Sequence, residues 1–242
     1  QLTYLISKYG IPSSLTLFHR FGLLLFKWLG NTFSFILVPI TRYFIQNEFS
    51  PFVIRSGSNL KKHLLLRKSG DYECSLNYLG EEILGETEAK KRIDLYVGAL
   101  KSKYVTNLSI KLSSIYSQIT HLSYEENKQI LIERVTKLYQ SAQTERGDKF
   151  INLDMEFYDD LHLTVDVFKE VLSQEQFLTL KAGLALQAYI PESSHYQHEL
   201  TEWAKERLKK GGAPITIRLV KGANLAMERV SAAKRGWEQA PY

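Results

Sequence analysis

The chain is poor in the residues that build metal sites and nucleotide loops. Cys74 is the only cysteine among 242 residues, which excludes an internal disulfide framework or cysteine-built zinc site and favours a reducing compartment, by default the cytoplasm. His195 and His198 have the spacing of a helical metal pair but lack a third ligand, so we expect no metal. No G-x-G-x-x-G or P-loop motif follows a strand-like run, and no nucleic-acid-binding module is recognisable. These absences argue against zinc enzymes, Rossmann and P-loop proteins, and nucleic-acid partners.

Acidic residues are almost missing from the first 70 residues, where nine Lys or Arg accompany the single acid Glu48. The most apolar stretch, residues 21–41, is long enough to cross a membrane. However, polar residues and Pro39 interrupt it, and its charge-free part, residues 28–41, has the length typical of a core or interfacial helix. We therefore predict a helical basic arm over residues 1–70 that packs on the rest of the chain. The alternative is attachment to a partner subunit or to the inner face of the cytoplasmic membrane.

From residue 72 onward, short runs rich in β-branched residues alternate with segments of helical periodicity. In one such segment, Ser123-x-x-Glu126 has the form of a capping box, and the apolar residues of 131–142 then recur on one helical face. This alternation predicts parallel strands joined by helical crossovers, in either an open doubly wound sheet or a closed barrel. The predicted strands are residues 72–78, 105–112, 150–155, 183–189 and 215–220.

Polar side chains stand at or just past the ends of these predicted strands. Parallel strands bring their carboxyl ends to one rim, where α/β enzymes place their chemistry. Without a nucleotide-binding glycine motif, a barrel is the better interpretation, although a complete one needs roughly 250 residues. We therefore predict an α/β fold in which residues 71–242 form an incomplete (β/α)8 TIM-type barrel of about five strands. The polar residues at its rim are Lys111, Asp154, Glu156, Gln187, Arg218 and Lys221.

These rim residues suit an anionic, polar ligand. Arg218 offers a planar fork of donors for a carboxylate, a phosphate or a flavin that acquires negative charge, while Lys111 and Lys221 supply point charges. The turn at residues 221–223 has small residues, which let backbone N–H groups approach a ligand closely. The alternative is a network of salt bridges at a barrel mouth, since such networks also gather charged groups.

Several stretches of the chain resemble the proline dehydrogenase family, in particular the domain found in bifunctional proline utilization A proteins. Four ordered motifs carry the resemblance, and a fifth stretch is similar to the first-strand segment of the family. The helices before them resemble the arm that wraps the barrel in bifunctional members. The four motifs are SIKLSSIYSQI (109–119), INLDMEFYDDLHLTVDVF (151–168), LALQAYIPES (184–193) and IRLVKGAN (217–224), and the fifth stretch is LNYLGEEILGETEA (76–89).

The resemblance implies a distorted barrel that binds FAD and oxidises L-proline to pyrroline-5-carboxylate, with electrons passed to a membrane quinone. By motif, Lys111 would hold the substrate carboxylate, Asp154 would lie beside the flavin, and Arg218 would hydrogen-bond the isoalloxazine; these three are the implied catalytic residues. The other implied substrate contacts are Leu219 against the proline ring, Asn224, and Glu81 at the pocket mouth. The implied cofactor contacts are Gln187, Arg218, Val220, Lys221, Gly222 and Ala223.

The chain also departs from the family pattern. Asn224 stands where the family commonly has Tyr, which leaves the substrate selectivity open. The late-strand arginine pair and tyrosine of the family, and much of its FAD pyrophosphate and adenine site, have no counterpart in the sequence. We therefore expect these 242 residues to be a fragment that is inactive by itself. The resemblance of the arm indicates a downstream aldehyde dehydrogenase module, for which NAD would be the cofactor, and a homo-oligomer of the full-length form is a further expectation.

Two other functions remain open from the residues alone. In a barrel lyase or aldolase, Lys111 or Lys221 would form a Schiff base and Asp154 would relay protons. A non-catalytic alternative is a truncated product whose basic arm mediates assembly or membrane contact.

Overall fold

The computed structural model describes residues 2–13, 16–29, 32–49, 53–54, 57–79, 83–144, 147–155, 157–222 and 224–238. The chain divides into two compact units, residues 1–63 and 64–242. Within the described ranges the helices are α1 (Leu2–Tyr9), α2 (Leu17–Leu29), α3 (Ser34–Phe49), α4 (Ser58–Ser69), α5 (Glu86–Lys101), α6 (Tyr124–Ala142), α7 (Leu161–Leu172), α8 (Ser193–Lys209) and α9 (Leu225–Arg235). The strands are β1 (Ser75–Asn77), β2 (Asn107–Lys111), β3 (Phe150–Asp154), β4 (Ala182–Gln187) and β5 (Thr216–Val220).

The described residues of the first unit form helices. Lys8 lies in the last turn of α1 and Lys27 in the last turn of α2, where the helix dipole favours a cation. Pro39 lies inside α3. A search of the described residues finds no helix that combines the length and the apolar character needed to cross a bilayer.

The second unit contains one five-stranded sheet whose spatial order, β1-β2-β3-β4-β5, is the order of the strands along the chain. Every neighbouring pair is parallel. A doubly wound sheet reverses its strand order at a switch point, whereas a barrel adds each strand beside the last. The sequential order therefore excludes the doubly wound sheet, which the alternation of strands and helices alone allows. The fold is a partial TIM-type barrel, which confirms the predicted fold class.

The strand register divides the sheet into two faces of opposite character, because successive side chains of a strand point to opposite sides. The apolar face carries residues that are fully buried in one core with α6, α7 and α8. The polar face carries amides, charged groups and two very small residues. The apolar face consists of Leu108, Ile110, Ile151, Leu153, Leu184 and Leu186. The polar face includes Asn77, Ser109, Lys111, Asn152, Asp154, Gly183, Ala185, Gln187 and Arg218.

Helix α6 has the apolar face that the spacing of its residues predicts. In α6, Leu131, Val135, Leu138 and Ala142 are all fully buried, as their spacing predicts. The predicted capping box is correct in its position, because Ser123 is the residue before α6. It is wrong in its hydrogen bond, because the Ser123 side chain makes no capping bond. The preceding turn is instead capped by the Thr120 side chain, which accepts a hydrogen bond from Leu122 N.

Candidate active site

Charged residues of three strands lie on the polar face near the carboxyl ends of the strands. Lys111 ends β2, Asp154 ends β3, and the two are partners in the β2–β3 register. Arg218 lies in β5 opposite Ala185 of β4. Gln187 ends β4 on the same face. The structure therefore brings together four residues that the sequence places at the rim of the sheet.

Asp154 is the centre of this group and is 8% exposed. Its Oδ1 atom accepts hydrogen bonds from Arg218 Nη2 at 2.5 Å and from Asn152 Nδ2 at 2.6 Å. Its Oδ2 atom accepts a longer one from Asn77 Nδ2 at 3.4 Å. Burial raises the pKa of the Asp154 carboxyl, although Arg218, Asn152 and Lys111 each act in the opposite direction. The site thus holds a desolvated carboxylate whose charge is compensated by neighbouring cations.

Strand β4, which lies between β3 and β5, has small residues where the polar face needs space. Ala185 of β4 lies between Arg218 of β5 and Asp154 of β3. The arginine side chain therefore passes over the methyl group of Ala185 to bind the carboxylate of Asp154, two strands away. At Gly183, a Cβ atom would lie 2.8 Å from Asn152 Oδ1 and 3.1 Å from Thr216 O. A larger side chain at either position would occupy the space through which β3 and β5 interact.

A second group of polar residues lies in the loops that follow β3, β4 and β5. The buried hydroxyl of Tyr189 accepts hydrogen bonds from Gln187 Nε2 at 3.0 Å and from the backbone N–H of Asn224 at 3.0 Å. Asn224 Nδ2 in turn donates to Glu228 Oε1 at 3.3 Å. The same carboxylate oxygen accepts the backbone N–H of Tyr158 at 2.9 Å. These bonds connect Gln187 on the polar face to the start of α9 and to the β3–α7 loop.

The other predicted site residues lie around the end of β5. Val220 is the partner of Gln187 in the β4–β5 register, and Lys221 and Gly222 follow it and are exposed. A Cβ atom at Gly222 would meet nothing within 4 Å. Leu219 is 61% exposed, and strand alternation directs it to the side opposite Arg218, so its role against the proline ring stays a prediction. Glu81, Glu156 and Ala223 lie outside the described residues.

Tyr189 and Glu228 also line a cavity of about 340 Å³ between the loops after β3 and β4 and helix α9. Arg235 and Asp159 form a two-point ion pair at its edge, with both N–O distances 2.8 Å. The Arg235 guanidinium stacks over the ring of Trp237 at 4.5 Å. Lys111, Asp154, Gln187 and Arg218 do not line this cavity, so it is separate from the group around Asp154.

Sequence reasoning missed Asn77, Asn152 and Tyr189. A signal was present for Asn152, because a polar residue two positions before Asp154 in a buried strand shares its face. Asn77 could be found only from the β1–β2 register, which no local pattern reveals. Tyr189 resembles an ordinary core aromatic, and only the positions of Gln187 and Asn224 give its hydroxyl a role.

Sequence comparison identifies the family of the residues that form the sheet. A family profile described as proline dehydrogenase matches residues 60–242. This range contains all five strands and every predicted site residue. A search of curated proteins finds no match.

Structure comparison finds proline utilization A proteins. The protein from Corynebacterium freiburgense is 40% identical, with a TM-score of 0.77 over 88% of this chain and 23% of that one. The protein from Bdellovibrio bacteriovorus, inactivated by N-propargylglycine, is 29% identical, with a TM-score of 0.63 over 73% of this chain and 20% of its own. A mutant of the Bradyrhizobium japonicum protein is 25% identical, with a TM-score of 0.60 over 70% and 18% of the two chains. The chain thus spans less than a quarter of the length of these relatives, and it belongs to the proline dehydrogenase family.

Proposed function

We propose that the natural protein carrying this chain oxidises L-proline to pyrroline-5-carboxylate with FAD and passes the electrons to a membrane quinone. Family membership supports the reaction class. The observation that carries the proposal is the Arg218–Asp154 ion pair, 2.5 Å long, on a polar face that also holds Lys111. This arrangement supplies cations for a substrate carboxylate and for negative charge that develops on an acceptor.

The residues at the end of β5 and β4 fit the polar parts of FAD. The Arg218 side chain is 49% exposed, and of its five N–H donors the bond to Asp154 uses one at Nη2. Gly222 has open space where a side chain would lie, so its backbone is accessible to a ligand. We propose that Gln187 and Arg218 bind the isoalloxazine, and that residues 220–223 line the rest of the cofactor.

In the proposed reaction, bound FAD supplies the hydride acceptor. Lys111 binds the carboxylate of proline and so fixes the orientation of the ring. Arg218 places a fixed positive charge where negative charge develops, which lowers the barrier only if the guanidinium is held in place. Asp154 provides that restraint, because its Oδ1 atom is bonded to both Arg218 and Asn152. Asn224 borders the substrate, where its amide is held by Glu228.

We further propose that residues 1–242 do not oxidise proline by themselves. The five strands of the described chain leave β5 at the edge of the sheet, whereas a closed barrel has eight. In the natural protein, residues 1–70 would form a helical arm and residues 71–242 the first part of the barrel. Contact of the basic arm with the anionic inner face of the cytoplasmic membrane, where a quinone is available, is the alternative to packing on the rest of the chain. NAD would serve only a downstream aldehyde dehydrogenase module.

The Bdellovibrio relative is inactivated by N-propargylglycine, and the same compound gives a test of the proposed function. We expect N-propargylglycine to abolish the proline:quinone activity of the purified natural protein with time, because a site shaped for proline should accept this amino acid. Saturating L-proline should protect the activity, and an equal concentration of glycine should have no effect. Full activity after prolonged incubation with the inhibitor, or a natural protein with no proline oxidation at all, would contradict the proposal.

A further inference from the structure

Tyr189 lies two residues after the end of β4. Its side chain is fully buried, and its hydroxyl oxygen accepts two hydrogen bonds of 3.0 Å, one from Gln187 Nε2 and one from Asn224 N. A tyrosine hydroxyl has two acceptor lone pairs, so it can accept both bonds at once.

The two donors belong to different parts of the fold. Gln187 is the last residue of β4, and its side chain is fully buried. Asn224 is 35 residues from Tyr189 in the chain and precedes the first residue of α9, so its N–H belongs to the loop after β5. A single oxygen atom therefore fixes the distance between an amide on the polar face and the backbone of the β5–α9 loop.

We propose that Tyr189 is a positioning residue that holds Gln187 and the backbone of Asn224, at the end of the β5–α9 loop, in the arrangement that FAD binding requires. The inference rests on the proposed function, in which both Gln187 and this loop contact the cofactor. A site whose groups are already fixed binds more tightly, because ligand binding does not have to order them. Without the hydroxyl, the amide of Gln187 and the N–H of Asn224 lose their shared acceptor.

The chain offers a matched control for removal of this hydroxyl. Tyr139 in α6 is also fully buried, and its ring packs edge-on against Phe177 with centroids 5.7 Å apart. Its hydroxyl has no hydrogen-bond partner among the described residues. Tyr189→Phe and Tyr139→Phe therefore delete the same atom from equally buried rings, but only the first removes hydrogen bonds.

Two measurements on the natural protein separate the role of Tyr189 from a general loss of stability. The first is the dissociation constant of FAD, obtained by adding FAD to protein from which the flavin has been removed. The second is hydrogen exchange of the peptide that covers residues 221–225 in the cofactor-free protein, with a peptide from α6 as internal reference. We expect Tyr189→Phe to weaken FAD binding about tenfold or more, as loss of one to two net hydrogen bonds implies. Exchange at residues 221–225 should accelerate while α6 stays unchanged, and Tyr139→Phe should match the wild type in both measurements.

The outcomes distinguish this inference from the proposed function. Unchanged exchange at residues 221–225 in Tyr189→Phe, or faster exchange with unchanged FAD affinity, would overturn the role of Tyr189. A wild-type protein that binds no FAD would overturn the proposed function. In that case the exchange measurement would still decide whether the hydroxyl holds the loop.

Discussion

The two faces of the sheet differ in what holds their side chains in place. On the apolar face, residues such as Leu153 are fully buried and are held by packing against helices. On the polar face, the next residue, Asp154, is held by hydrogen bonds from Asn152, Asn77 and Arg218. Asn152 belongs to the same strand as Asp154, whereas Asn77 belongs to β1 and Arg218 to β5. In β3, Leu153 thus contributes to stability, and the next residue, Asp154, contributes to the proposed chemistry.

Two carboxylates of the second unit, Glu86 and Asp154, differ in the same way. Glu86, in the first turn of α5, binds Arg134 at 2.6 Å and accepts hydrogen bonds from Ser117, and these interactions lower its pKa to about 2. The pKa of Asp154 is raised, because burial outweighs its cationic neighbours. Ionisation therefore stabilises the fold at Glu86 and destabilises it at Asp154. A carboxyl group that is desolvated beside a specific cation is the pattern expected of a functional site.

The largest expected effect on stability comes from Leu153→Ala on the apolar face. Removal of a fully buried leucine side chain leaves a cavity and should lower the free energy of unfolding by about 2–5 kcal/mol. The matched change on the other face is Asp154→Asn, which should not destabilise the protein. Urea denaturation of both variants makes the measurement. Equal destabilisation by the two changes would contradict the division into two faces.

Arg218→Met should have the largest effect on chemistry. Loss of a fixed cation beside the reacting groups should slow flavin reduction by proline about 100- to 1,000-fold, which corresponds to about 2.7–4 kcal/mol of barrier. The urea midpoint should fall as well, because the change leaves the buried Asp154 carboxylate without its hydrogen-bonded cation, so the rate is measured on folded protein and per bound flavin. Stopped-flow absorbance gives the rate, and Arg235→Met, which breaks an ion pair with Asp159 away from this face, is the control. A wild-type rate in Arg218→Met would remove Arg218 from the site.

Ala185→Leu tests whether Arg218 needs a small residue in β4 to reach Asp154. The larger side chain should block the approach of Arg218 to Asp154 and slow flavin reduction about tenfold, with a cost in stability of about 1–3 kcal/mol from overpacking. Ala185→Ser, which keeps the side chain small, should retain most of the rate. If the leucine variant reduces its flavin as fast as the wild type, the ion pair does not depend on a small residue at this position.

The smallest expected effect is on the pH dependence of stability. The folded-state pKa of Glu86, about 2, is below its ordinary value of 4.5, so its contribution is present above pH 4.5 and is lost as the pH falls toward 2. Glu86→Gln should therefore reduce stability at neutral pH by about 1 kcal/mol after allowance for solvent screening. The same variant should also lose less stability than the wild type as the pH falls from 4.5 toward 2.

Asp154 should show the opposite sign. Because its folded-state pKa is raised, its ionised form reduces stability at neutral pH, and this penalty disappears as the pH falls through the folded-state value. Asp154→Asn should raise the unfolding temperature at neutral pH while proline oxidation is lost. Thermal unfolding across the pH range measures both variants, and a lower unfolding temperature for Asp154→Asn would show that the carboxylate is structural.

Much of this fold could be predicted from the sequence because its signals are local. The β-branched run at 150–155 and the helical spacing in 131–142 each depend on residues that are close together in the chain. Parallel strands then place their ends on one rim whatever the loops between them, which is why Lys111 and Asp154 could be predicted to meet.

The remaining features depend on register and on distant partners. Nothing near Ala185 in the sequence indicates that Arg218 reaches over it, since that follows from pairing between β4 and β5. The hydroxyl of Tyr189 acquires its role from Asn224, 35 residues away. The failure of the Ser123 cap has a similar cause, because cap formation depends on backbone geometry that the motif does not determine.

The most direct test of the account is an anaerobic titration of the purified natural protein with L-proline, followed by visible absorbance. We predict a yellow protein whose flavin band disappears when proline is added, and an Arg218→Met variant in which any bound flavin is reduced far more slowly. A natural protein that neither contains nor binds FAD, or whose flavin stays oxidised at saturating proline, would contradict it.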